Sequence, residues 1–326
     1  MRIDRRLLGW GAFFLIAGAV PIAVRGGALP RDVVEGWPSL WPLLLIGGGL
    51  GLVLRGTPLH LLGGTLTALT AGVMAGGLLA VGLAGVPAFG ACGTGSGATA
   101  FADQTGTIPN GGSMDIQFNC GTLRVGTVDG SAWTLSGSGP AGRQPQVVDD
   151  ANGVRILPPL ANADIFHNST STWQIGVPHA LIGTLNVTLN AGEGTVNLAG
   201  ATVVTTNLTV NAGSLDATLA DAAAASRVEA TVNAGSAVIA LPDGLERADF
   251  SLNAGSMTVC VPAGAQVRIG WRGGLASNNF AGLGLARLGS DRWTTSGLDA
   301  TSPATDIEIS ANAGSFTLVI GGSCHA

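Results

Sequence analysis

A corner of the form Asn-(Ala/Cys)-Gly occurs six times in this chain, beginning at Asn119, Asn190, Asn211, Asn233, Asn253 and Asn312. Four of them follow one another at intervals of 21, 22 and 20 residues, a period that signals stacked structural units rather than an ordinary globular core. The flanks fix the kind of unit. Before the corner, apolar residues alternate: Leu185, Val187, Leu189; Val228, Ala230, Val232; Ala248, Phe250, Leu252; Ile307, Ile309, Ala311. After it the alternation resumes: Leu215, Ala217, Leu219; Ala237, Ile239, Leu241; Met257, Val259, Val261; Phe316, Leu318, Ile320. Period-two alternation means strands with one buried face, and keeping that face inward on both arms of a bend describes a β-solenoid corner. Gly121, Gly192, Gly213, Gly235, Gly255 and Gly314 supply the positive φ of the bend, and Asn tolerates a turn conformation while bonding nearby backbone. Stacked in successive rungs, such Asn amides are placed to bond one another. The gaps of 71 and 59 residues between the outlying corners are close to three periods each and predict further rungs without the signature.

Charge and hydropathy divide the chain. Only 11% of residues are charged, against about 25% in soluble proteins. Residues 101–326 carry nine Arg against seventeen acids, a net of −8, which excludes nucleic acid as a partner. The apolar excess is at the front, where runs at about 7–24, 37–54 and 59–86 are each long enough to predict a membrane-crossing helix. A cleaved signal peptide does not account for the first run, because two more follow. Arg2, Arg5, Arg6 and Arg55 against Arg25 and Arg31 place the N-terminus in the cytoplasm and the C-terminal domain outside. The expected organisation is an α-helical membrane region of three crossings over 1–89, a flexible linker over 90–106, and an all-β ectodomain over 107–326, a β-solenoid resembling a single-stranded β-helix. A hairpin is expected at Asp149–Gly153, and a protruding loop at Asn278–Gly289.

The chemistry-bearing residues are sparse. His60, His167, His179 and His325 lack the spacing of a metal-binding helix, and no CxxC is present, so no metal or other cofactor is expected. There is no GxSxG nucleophile elbow, and the corner serines read as turn formers. A glycan-cleaving solenoid needs paired carboxylates on one outer face. The outward positions near the corners, Thr195, Asn197, Asp216, Thr218, Val238, Ala240, Thr258, Cys260 and Thr317, hold one acid, so no catalytic residues are assigned and no enzyme is expected. Cys92, Cys120, Cys260 and Cys324 form an even set. Up to two disulfides in any of three pairings, or free buried thiols, satisfy it.

The front of the chain, with Arg5-Arg6-Leu7-Leu8-Gly9 and Trp37-Pro38-Ser39-Leu40-Trp41-Pro42-Leu43-Leu44-Leu45-Ile46-Gly47, resembles the membrane region of LiaF/LiaI-type bacterial cell-envelope stress proteins. The remainder, with Trp173-Gln174-Ile175-Gly176-Val177-Pro178 and the repeated corners, resembles the toastrack-type β-solenoid that follows such regions. The resemblance implies a multi-pass cell-membrane protein that senses or modulates envelope-stress signalling, with the lipid bilayer and a histidine kinase or other envelope protein as partners. The alternative is an adhesive or structural surface-display module.

Overall fold

The computed structural model describes residues 98–140, 144–159, 170–219, 222–299, 301–321 and 324, with helical positions at 11, 13–15, 17–20, 23, 49, 68 and 70–73. The chain divides into two compact units, Met1–Ala91 and Cys92–Ala326. The three crossings are not supported: among the described residues no helix is long and apolar enough to cross a membrane. Apart from the helical positions named above, the runs 7–24, 37–54 and 59–86 lie outside the described residues, as does the Trp37–Gly47 motif. The helical membrane region in the fold class therefore falls. With it falls the multi-pass placement, with cytoplasmic N-terminus and extracytoplasmic C-terminal domain. The second unit is all-β and solenoid-like, and its only helical element among the described residues is the 3-10 turn Phe280–Gly282.

In chain order its strands begin with β1 (Ala98–Ala100), β2 (Gln104–Thr107), β3 (Gly112–Val128), β4 (Ala132–Pro140), β5 (Gln146–Asp150), β6 (Gly153–Leu157), β7 (Ser171–Pro178) and β8 (Leu181–Asn197). There follow β9 (Thr202–Val210), β10 (Gly213–Thr218), β11 (Arg227–Val232), β12 (Gly235–Ala240), β13 (Arg247–Leu252) and β14 (Gly255–Val261). The series ends with β15 (Val267–Asn278), β16 (Ala286–Arg287), β17 (Arg292–Thr294) and β18 (Thr305–Ile320). Strand β1 and all of β2 but Thr107 fall within the stretch read as linker, and β5 and β6 form the Asp149–Gly153 hairpin, pairing Asp150 with Gly153.

A rung is a leading arm, a corner and a trailing arm. Strands β3, β8 and β18 each run through the corner, whereas β9/β10, β11/β12 and β13/β14 divide at it. Parallel pairing stacks the leading arms in the order β6, β3, β8, β9, β11, β13, β18, β15. The trailing arms stack as β7, β3, β8, β10, β12, β14, β18, β15. Spatial order and chain order therefore differ at both ends. β3 lies between β7 and β8, and β18 lies between β14 and β15. The long gaps do not hold a run of further ordinary rungs, because the corners on either side of each gap are direct neighbours. The gaps instead build the two end layers. At the first end β4 pairs antiparallel with β7, and β1 and β2 with β4. At the second, β17 pairs antiparallel with β15. Stacked repeats need such distinctive terminal layers, since an ordinary rung would leave its apolar columns and backbone edge open.

The core is a set of columns running through the stack. Ala217, Ile239, Val259 and Leu318 are buried, as are Val187, Leu208, Phe250 and Ile309 on the other arm. Aromatic rings close both ends: Phe118 meets Trp173 edge-on at 5.1 Å between centroids, and Phe280 packs on Trp271, Trp293 and Phe316. Asn278–Gly289 does not simply protrude, since Phe280 is fully buried while Leu288 stands 61% exposed.

The corner glycines meet two demands at once. Gly235 has φ +128°, and a Cβ added there would sit 2.0 Å from the carbonyl oxygen of Gly213 in the adjacent rung. Gly264 also has positive φ, +78°, but a Cβ there meets nothing within 4 Å. We predict that Gly264→Ala costs about 1–2 kcal/mol, the left-handed penalty alone. Gly235→Ala should cost about 3 kcal/mol or more, because the rungs must also part. Chemical denaturation of the two variants decides this, and equal losses would show that rung contact at the corner adds nothing.

Candidate functional site

Each predicted corner residue lies in one continuous stack. The Nδ2 group of Asn190 donates to Oδ1 of Asn119 (2.9 Å), Asn211 to Asn190 (2.7 Å), Asn233 to Asn211 (2.7 Å), Asn253 to Asn233 (2.6 Å) and Asn312 to Asn253 (2.7 Å). Gly121, Gly192, Gly213, Gly235, Gly255 and Gly314 all have positive φ, each corner a step from the next. Beside this ridge, the solvent face of the leading arms carries three parallel columns set by the register. The nearest is hydroxylic over most of its length: Thr188, Thr209, Thr231, Ser251 and Ser310, after Gln117. The middle one runs Asp115, Asn186, Asn207, Glu229, Asp249, Glu308, with Asn207 Nδ2 donating to Asn186 Oδ1 at 2.8 Å. The third runs Ser113, Thr184, Thr205, Arg227, Arg247, Asp306.

Toward the second end this face becomes ionic. Asp249 accepts a bidentate pair from Arg247, through Nε and Nη2 at 2.8 Å each, and a further contact from Arg227 at 2.8 Å. Arg227 also pairs with Glu229 in its own strand. Two carboxylates in adjacent rungs repel, and the neighbouring guanidinium column offsets that repulsion. The hydrogen bonds from Arg247 hold the Asp249 carboxyl below its ordinary range, partial burial opposes them, and the charges of Arg247 and Arg227 add to the lowering.

One step further the column is interrupted. The position after Glu308 is Gly270 of β15, and the Glu308 carboxylate leans over it, so that a Cβ on Gly270 would lie 2.4 Å from Oε2. The missing side chain leaves a shallow cleft of about 310 Å³, lined by Arg247, Gly270, Trp271, Arg272, Asp291, Arg292 and Glu308. Arg272 reaches Glu308 at 3.7 Å and is 76% exposed. Four strands contribute to the cleft region, β13, β15, β17 and β18, and sequence reading assigned none of these residues to a site. Its one trace in the sequence is the alternation Arg227-Val228-Glu229 and Arg247-Ala248-Asp249, two outward charges on one strand face.

The cysteines resolve in part. Cys260 is bonded to Cys324 across 64 residues. Cys260 occupies an outward position but is only 4% exposed, because it is covered from outside by the chain end bonded to it. Cys120 is also disulfide-bonded, and Cys92 lies outside the described residues. His179 bridges two turns, with Nε2 3.6 Å from Asp129 and Nδ1 against the carbonyl of Gly200. His60, His167 and His325 lie outside the described residues. Among the described residues no three His, Cys, Asp or Glu side chains gather as a metal site.

The depressed Asp249 pKa has a defined consequence. A carboxyl lowered in the folded state stabilises it above the unfolded pKa of about 3.9, and that contribution is lost as pH falls through the lower folded value. Asp249→Asn should therefore reduce the melting temperature at neutral pH by an amount worth at most about 1 kcal/mol for so exposed a pair. The gap from wild type should close in acid. A gap independent of pH would assign the loss to packing instead.

No protein-family model and no curated protein sequence matches this chain, so the envelope-stress resemblance gains no support from either. Solved structures to which this chain is similar include a putative cell adhesion protein from Clostridium sporogenes, 16% identical, TM-score 0.44, covering 67% of this chain and 99% of its own. Another is a putative adhesin from Bacteroides fragilis, 11% identical, TM-score 0.30, covering 68% and 97%. A third is a putative adhesin from Parabacteroides distasonis, 10% identical, TM-score 0.22, covering 69% and 98%. At these scores the function of this chain has to be read from its own geometry.

Proposed function

We propose that the solenoid is a non-catalytic adhesive or display module, a rigid scaffold that holds a repeating polar face toward a binding partner. The observation that carries this reading is the outer face of the leading arms. Its columns of Thr, Ser, Asn and paired charges continue in register from β3 to β18 beside an unbroken Asn ridge. Polar groups repeated at one strand spacing, about 4.8 Å, favour contact with an extended or repetitive surface, where many weak contacts sum. Asp249 is unsuited to be a general acid, since its Arg partners hold it ionised. The adhesion names of the structural neighbours belong to those proteins, and this reading does not rest on them.

The test is retention on a surface. Full-length protein immobilised on beads should hold bacterial cells or isolated cell-wall polysaccharide under flow. Thr209→Arg combined with Thr231→Arg, two partly exposed outward positions, should lower retention severalfold while leaving the melting temperature within a few degrees. Undiminished retention by the double variant would remove this face as the contact surface.

A further inference from the structure

We propose that the cleft around Gly270 binds the carboxylate-bearing units of an acidic polysaccharide. This rests on the adhesive reading and names what the module would hold. Three guanidinium groups, from Arg247, Arg272 and Arg292, line one depression. Arg247 is already engaged by Asp249. Arg272 is 76% exposed, and its 3.7 Å approach to Glu308 is too long for a hydrogen bond. Arg292 is exposed and makes no ion pair among the described residues. Two arginines that line the cleft therefore have hydrogen-bonding capacity to spare, and a guanidinium fork is the group that recognises a carboxylate.

The remaining lining narrows the ligand class. Asp291 and Glu308 stand on the same walls as acceptors for hydroxyl groups. They also repel a ligand with dense charge, as does the net charge of −8 over residues 101–326, so a nucleic-acid strand with one charge per phosphate is disfavoured. A sugar ring carrying one carboxylate among several hydroxyls matches both kinds of group. The volume, about 310 Å³, is at the small end of ligand sites and suits one or two sugar units. A sulfated polysaccharide presents related chemistry, but the oxygens of a sulfate ester are weaker hydrogen-bond acceptors than those of a carboxylate.

Titration calorimetry on the full-length protein separates these cases, using oligogalacturonate, its methyl ester and a heparin-derived oligosaccharide. Oligogalacturonate should bind with an affinity that falls as salt rises, and the neutral ester at least tenfold more weakly. Arg272→Ala and Arg292→Ala should each weaken binding about tenfold or more, the worth of a hydrogen bond to a charged group, with unchanged melting temperatures. Arg292→Lys should recover only part of the loss, because a point charge does not replace the fork. Equal binding of the ester, wild-type affinity in both Ala variants, tighter binding of the sulfated chain, or no binding of oligogalacturonate would each overturn the proposal. If oligogalacturonate fails to bind while beads carrying the protein still retain cells, the carboxylate assignment falls and the adhesive reading stands. If retention is absent as well, both fall.

Discussion

The contact on which the solenoid depends is that of one corner with the next. Each corner glycine approaches its neighbour so closely that an added Cβ would lie about 2 Å from a backbone oxygen, from Gly192 against Gly121 through to Gly314 against Gly255. Directly beside it, each Asn amide donates to the one before. The glycine sets how near two rungs come, and the amide ladder, at a net worth of about 0.5–1.5 kcal/mol per bond, sets their register. Since side chains alternate with period two, a slip of one residue would turn every inward column out. Fixing the register at the corner thereby fixes the core on both arms.

That constraint also explains why the long insertions lie where they do. A segment placed between two stacked corners would break a ladder whose steps are 2.6–2.9 Å bonds. The 71-residue excursion instead leaves the stack, builds one end layer and returns on the other side of the rung it left, whereas the 59-residue one builds the other end layer and returns to stack between that layer and the rung it left. Asn190 can therefore sit directly on Asn119, and Asn312 on Asn253, despite their separation in sequence. The same excursions supply what an end needs. Trp173 and Trp271 carry bulky rings in line with the core columns Leu123 and Ile309, and the antiparallel strands β4 and β17 cover open edges.

The repeated corner and the alternation around it were legible because both are local: a glycine at the bend and an apolar residue at every second position need no knowledge of distant chain. The inward columns, Ala217 with Ile239 and Val259 or Val187 with Leu208 and Phe250, follow from that alternation alone. What failed was long-range or rested on composition. Dividing gap length by the period suggested missing rungs, since nothing local in Ala132–Pro140 or Val267–Asn278 reveals that these strands close the stack. The apolar runs at the front satisfied a length rule for membrane helices that the described residues do not meet. The Cys260–Cys324 bond joins positions 64 residues apart, a pairing that strand periodicity does not encode.

The cleft was illegible for a related reason, and that reason bears on function. A strict repeat presents the same group at every step, so its faces suit extended contact but do not create a distinct pocket. Here the repeat holds Arg and acid in register through β11 and β13 and then meets an end strand that obeys different rules. At the column position following Glu308, β15 offers Gly270, and the insertion brings Asp291 and Arg292 alongside from β17. The depression exists because the stack ends, and its charges come both from the last ordinary rungs and from the layer that closes them. Specific chemistry in a solenoid of this kind is therefore expected where the repeat is broken, with the repeating face supplying area and the end layer supplying selectivity.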